Sequence, residues 1–272
     1  MSQFVYCLNA STIKTTPILD QIRVAGEAGY QAIELWHDDI DALVAGGGQL
    51  SDITKALQDH GLQVPTTIFL KGWWDTVGQV YDSAMDETRR RLAQSQAIGA
   101  TFAIAGPPLG PVDFCVGAKN YARLLEIGRE FGIKPVMEYL GFSEEVNSIE
   151  AAIRVMTDCG DDQATTVLDP FHCFRGGGPL ASIKLLSPDQ IAIAHFNDSP
   201  DFPPARLQQD CDRVMPGDGS VDLTSFCRYL SEIGYDRCLS LELFNRQQWA
   251  RNPLDVAVEG LEKMRSVAEA AT

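Results

Sequence analysis

The feature that most constrains the fold is an alternation running the length of the chain. Short runs rich in β-branched and aromatic residues are each followed by a longer stretch of helical periodicity. The expected strands are residues 4–8, 32–36, 63–68, 102–105, 134–139, 165–168, 191–196 and 238–243. The helices expected after them cover residues 17–28, 50–60, 82–98, 118–131, 148–157, 180–185, 223–233 and 254–268. Pro17 stands at the first turn of the first helix, Ser51 or Asp52 caps the second, and Gly29, Gly61 and Gly99 close three of them. Alternation of this kind builds a parallel sheet from βα units. Eight units in 272 residues match the count and length of a single α/β (β/α)8 TIM barrel. A doubly wound open sheet would carry a G-x-G-x-x-G turn after its first strand, and none follows residues 4–8. With no linker or low-complexity segment, residues 1–272 are read as one domain.

Composition narrows the setting. The 22 Lys and Arg against 37 Asp and Glu leave a formal charge of −15, which repels phosphate backbones, so nucleic acid is not an expected partner. No apolar run approaches the length of a membrane span, and residues 1–6 lack the basic and apolar regions of a secretory leader. Seven scattered cysteines without a CxxC pair read as reduced thiols, so the expected location is cytoplasmic. Homo-oligomerisation is left open.

A barrel of this type carries its active site where the strands end. There the chain places Glu138 after the fifth strand, Asp169 after the sixth, His195 in the seventh and Glu242 in the eighth. Each alone has an ordinary reading, as a solvated rim carboxylate or a hydrogen-bonded core histidine. Together, on four consecutive strands at one level, they converge on the barrel axis. Three carboxylates that close repel one another and raise one another's pKa, and a divalent cation resolves the conflict. The oxygen-rich set favours Mn²⁺ or Mg²⁺, with Zn²⁺ or Co²⁺ admitted by the imidazole. His172, three residues past Asp169, is placed at the rim within reach of a substrate oxygen. A long Pro- and Gly-rich excursion after the seventh strand brings Arg213, placed to meet a substrate hydroxyl or a ligand carboxylate. Trp36, His37, Phe69, Trp73 and Trp74 follow strands two and three and are expected to wall the pocket.

The pattern Met137-Glu138, Leu168-Asp169-Pro170-Phe171-His172, Ala194-His195-Phe196-Asn197-Asp198 and Leu241-Glu242-Leu243-Phe244 resembles the xylose isomerase-like barrels, a superfamily of sugar isomerases and epimerases. Within it the stretch Asp212-Arg213-Val214 with Pro216-Gly217-Asp218-Gly219 is similar to the inosose isomerases, and the likeness is close over most of the C-terminal half. The resemblance implies a single divalent metal on Glu138, Asp169, His195 and Glu242. It also implies a small polyol ketone substrate, and isomerisation or epimerisation by proton transfer through a metal-stabilised enediolate. Glu138 and Glu242 are then the expected catalytic acid–base pair. A lyase of the same family, an inosose dehydratase or a keto-glycoside-cleaving enzyme, would use the same metal for β-elimination. The DNA-repair endonucleases of the superfamily need a histidine-rich trinuclear zinc site, which four histidines and a charge of −15 do not suit. A non-catalytic scaffold would be expected to have lost ligands, and all four are present.

Overall fold

The structure, a computed structural model, describes residues 4–74 and 77–271. Residues 1–3, part of the stretch read above as lacking a leader, lie outside the described residues. Eight parallel strands close into a barrel in chain order: β1 (Val5–Asn9), β2 (Ala32–Trp36), β3 (Thr66–Leu70), β4 (Phe102–Ala105), β5 (Lys134–Met137), β6 (Thr166–Leu168), β7 (Ile191–Phe196) and β8 (Cys238–Leu241). Closure is made by β1 against β8, with Val5 opposite Cys238 and Leu8 opposite Leu241. Around them lie α1 (Ile18–Ala28), α2 (His37–Ala45), α3 (Leu50–His60), α4 (Gly78–Ala97) and α5 (Phe114–Phe131). The second half adds α6 (Ile149–Asp158), α7 (Pro170–Gly176), α8 (Leu223–Glu232), α9 (Arg246–Trp249) and α10 (Pro253–Ala270). Among the described residues no helix is long and apolar enough to cross a membrane.

Two buried clusters explain why this closure holds. One lies between strands and helices. The other takes Cys7, Ala32, Ile68, Ile104, Val136, Val167, Ala192, Ile193 and Cys238 from the eight strands in turn. Side chains from every strand of a closed sheet can meet only inside it, so the barrel is plugged by aliphatic packing. Truncating one such residue, Ile104 or Ile193, would cost about 2–5 kcal/mol. The same interior also buries the polar side chains of Asn9, Glu34, Thr66, His195 and Ser240. Ile68 and Ile104 of the aliphatic cluster reach the cavity described below.

The structure departs from the sequence reading at several ends. The third strand starts at Thr66, after Pro65, and Gln63 keeps only an isolated bridge to Ala32. The cap of α3 is Gln49: its main-chain N–H donates to Asp52 Oδ2 at 2.8 Å, so Asp52 closes a capping box from inside the helix. Helix α5 begins at Phe114 because Asp113 accepts from Cys115 N at 2.8 Å and Val116 N at 3.2 Å. Helices α2 and α7 were not anticipated. In α7 the Asp169-Pro170 pair is itself a helix start: Asp169 Oδ1 accepts from His172 N at 3.0 Å, and Pro170 needs no partner in the first turn. Gly177, at φ 79°, ends it in the left-handed region. Gly176 packs so closely that a Cβ would lie 2.2 Å from Asn147 O.

Candidate functional site

Strands β5 and β8 stop at Met137 and Leu241, so Glu138 and Glu242 are the first residues beyond them. Asp169 follows β6, and His195 is still within β7. The four side chains meet on the axis. His195 Nδ1 lies 3.0 Å from Glu242 Oε2, 3.4 Å from Asp169 Oδ2 and 3.7 Å from Glu138 Oε1. Its other nitrogen, Nε2, is 3.4 Å from Glu34 Oε1, on β2.

Glu34 is held in turn. Asn9 Nδ2 donates to its Oε1 at 3.1 Å, and the hydroxyls of Ser240 and Thr66 donate to Oε1 and Oε2. Asn9 Nδ2 also reaches Glu242 Oε1 at 3.1 Å, while Trp36 Nε1 donates to Asn9 Oδ1 at 2.9 Å. Asn197 ties Asp169 to the following helix, donating to Oδ2 at 3.2 Å and accepting from Phe171 N at 3.2 Å.

Arg213 supplies the fixed positive charge. Its Nη1 donates to Asp169 Oδ2 and Glu242 Oε2, each at 2.8 Å, and Nη2 donates to Asp210 Oδ1 at 2.7 Å. The guanidinium also lies over the Phe171 ring, 4.6 Å from its centroid. Arg213 Nη2 is 3.2 Å from His172 Nε2, and since arginine only donates, that nitrogen accepts and the ring proton sits on Nδ1. His172 Nδ1 is buried without a protein partner.

These environments set the charges. Burial pushes the Glu138 carboxyl well above its ordinary range, and repulsion from Glu242 and Asp169 adds to this. Burial pushes Asp169 up as well, but Arg213 and His195 outweigh it and hold the carboxyl well below its ordinary value. His195 is driven down by burial and up, more strongly, by Glu242 and Glu34. His172 is lowered to about 4 by burial and is neutral near pH 7.

The donor set fits a divalent cation. Ligand atoms of Asp169, His195 and Glu242 all lie within 4.8 Å of one another, and so do those of Glu138, Asp169 and His172. A histidine facing carboxylates with one nitrogen while a further carboxylate faces the other is the arrangement that orients metal-ligating imidazoles. Binding would require His195 to be neutral at Nδ1 and would release its proton.

A cavity of about 320 Å³ opens on this cluster. It is lined by Glu138, His172, His195, Arg213 and Glu242 together with Trp36, Phe69, Phe142 and Phe244, and by Lys71 and Leu109; the Phe142 ring packs on His172, and Phe244 on Arg213. A larger hollow of about 790 Å³ lies at the opposite end, around Val5, Pro65, Ala192 and Cys238. None of the metal-type clusters among the described residues belongs to it.

The structure therefore brings together Glu138, Asp169, His195 and Glu242, and places His172, Arg213, Trp36 and Phe69 around the cavity. Three expected wall residues are elsewhere. His37 is buried in the first turn of α2, with Nδ1 2.9 Å from Gln94 Oε1. Trp73 packs into the core against Trp74 and Tyr121, at centroid distances of 5.0 and 5.7 Å, and donates to Gly106 O at 2.9 Å. Trp74 is buried beside it. Sequence reasoning assigned no role to Glu34, Asn9, Asn197 and Asp210. Glu34 carried a usable signal, a lone carboxylate inside the apolar run Ala32-Ile33-Glu34-Leu35.

Known proteins agree with this architecture. Inosose isomerase of Halalkalibacterium halodurans is 32% identical over 256 residues, 89% of each chain. Inosose isomerase of Bacillus velezensis is 24% identical over 251 residues, again 89% of each. The crystal structure of the IolI protein with a bound zinc atom superposes with a TM-score of 0.90 at 23% identity, covering 100% of this chain and 99% of that one. The sequence pattern of the xylose isomerase-like TIM barrel family matches residues 22–267, and the chain belongs to that family.

Proposed function

We propose that the chain is a divalent-metal-dependent isomerase acting on a keto-cyclitol such as an inosose. The observation that carries the reading is His195 Nδ1 facing three carboxylates beside a cavity that Trp36, Phe69, Phe142 and Phe244 also line. Glu138, Asp169, His195 and Glu242 would hold the cation. Bound there, it would supply polarisation of a ketone oxygen and acidify the adjacent C–H.

The chain's own groups do the rest. Glu138, outside the Arg213 clamp, is the group proposed to exchange a proton with substrate carbon. Glu242 is its partner on the other side of the cluster, its two oxygens held by Arg213 and Asn9. His172 offers its unpartnered Nδ1–H to a substrate hydroxyl. Trp36, Phe69, Phe142 and Phe244 cover the C–H faces of a ring that carries few apolar groups. Seven cysteines without a disulfide support a reducing, cytoplasmic setting.

The test is incubation of the Mn²⁺- or Zn²⁺-loaded protein with inososes and ketohexoses, read by product NMR in D2O. The expected product is an isomer of the substrate that differs in mass only by deuterium in place of hydrogen at the exchanged carbon. Loss of water would identify a lyase instead, and absence of any isomeric product would remove the isomerase reading.

A further inference from the structure

Arg213 reaches the ligand carboxylates from a long loop, yet it is fully buried and fixed on several partners. Its backbone is tied on both sides: Asn245 Nδ2 donates to Arg213 O at 3.1 Å, and the next residue, Val214, pairs with Asp198, just beyond β7. Asp198 N donates to Val214 O at 3.1 Å and Val214 N donates back to Asp198 O at 3.0 Å, an antiparallel bridge next to Arg213. The Asp198 carboxylate then gathers the turn that follows. Oδ2 accepts from Gly217 N and Gly219 N, each at 3.0 Å, and Oδ1 accepts from Val221 N at 3.0 Å and Ser199 N at 2.8 Å. The fit leaves no slack: a Cβ on Gly219 would lie 2.4 Å from Asp198 Oδ1 and 2.3 Å from Ser199 O.

Asp198 is buried and does not line the cavity. Three of these four N–H donors bind residues 217–221 to the end of the strand that carries His195. We infer that Asp198 is a positioning residue for Arg213: it fixes the loop backbone so that the guanidinium stays on Asp169 and Glu242. A general loop support would act on stability alone. A positioning residue acts through Arg213, so its effect vanishes when Arg213 is gone.

A double-mutant cycle separates the two. Thermal melting, Mn²⁺ affinity by calorimetry, and kcat and KM on an inosose are measured for wild type, Asp198→Asn, Arg213→Ala and the double variant. Activity depends on the proposed function, whereas Mn²⁺ affinity does not. Removing or loosening a cation 2.8 Å from two ligand oxygens tightens Mn²⁺ binding, by about tenfold at the screened strength of such pairs. Asp198→Asn should therefore tighten Mn²⁺ binding and lower kcat by up to about 100-fold in the wild-type background. In the Arg213→Ala background it should change either quantity less than about threefold, while the melting temperature falls equally in both. Equal fold-changes in the two backgrounds would overturn the assignment and leave Asp198 a purely structural clasp. If no inosose is turned over, the proposed function fails and the Mn²⁺ cycle alone decides for or against Asp198. Gly219→Ala, which loosens the same clasp without altering its charge, repeats the cycle should Asp198→Asn not fold.

Discussion

Glu34 Oε1 stands 3.4 Å from His195 Nε2, and the opposite nitrogen of that ring faces three carboxylates. A buried carboxylate on the second strand thus stands beside the nitrogen that the seventh strand turns away from the centre. Metal-site histidines depend on such a contact for tautomer and ring orientation.

Glu34→Gln should therefore weaken metal binding without touching a ligand. Loss of an outer carboxylate typically costs 10- to 100-fold in affinity, about 1.4–2.8 kcal/mol. Calorimetric titration with Zn²⁺ measures it. An unchanged dissociation constant would show that the ring is oriented by other means.

Gly106 and Phe69 give a packing prediction. A Cβ on Gly106 would lie 1.9 Å from Phe69 Cζ, so Gly106→Ala must push the ring out of the cavity wall. The expected result is a fall in kcat/KM of about tenfold on the cyclitol substrate, with metal affinity unchanged. If both kinetic constants stay at the wild-type value, Phe69 does not shape the substrate site.

His37 predicts a pH dependence of stability away from the metal centre. Burial lowers its pKa from 6.5 to about 4, with the Gln94 contact opposing, so it is neutral in the fold. Between those values the unfolded chain binds the extra proton, so stability is full above pH 6.5 and falls as pH drops toward 4. The loss is about 3 kcal/mol at 1.36 kcal/mol per unit. Urea unfolding at a series of pH values, compared with His37→Gln, should show the variant losing less stability than wild type across that window. Parallel curves would mean that His37 is not the titrating group.

How far this was readable from the chain depends on the residue. Asp169 and Glu242 announce themselves because a carboxylate at the end of an apolar strand is costly without a partner. The barrel followed from strand and helix periods that alternate through the entire sequence. Glu34 carries the same cost, but it lies inside its strand, and only the closed sheet reveals that it points across the axis at His195. Arg213 was legible as a residue of a functional loop, while its clamp on Asp169 and Glu242 follows from the path of that loop, which the sequence alone does not give. His37 and Trp73 went astray for a shared reason. Position after a strand does not give side-chain direction: His37 turns into α2, and Trp73 turns inward onto Tyr121.

On the proposed function, Glu138, Asp169, His195 and Glu242 bind one divalent cation. Calorimetric titration of metal-stripped protein with Mn²⁺ and Zn²⁺, for wild type and His195→Ala, tests it most directly. The expected result is one ion per chain, with proton release, and affinity reduced at least about 100-fold in the variant. Binding of equal strength and stoichiometry in both proteins, or none in either, would contradict it.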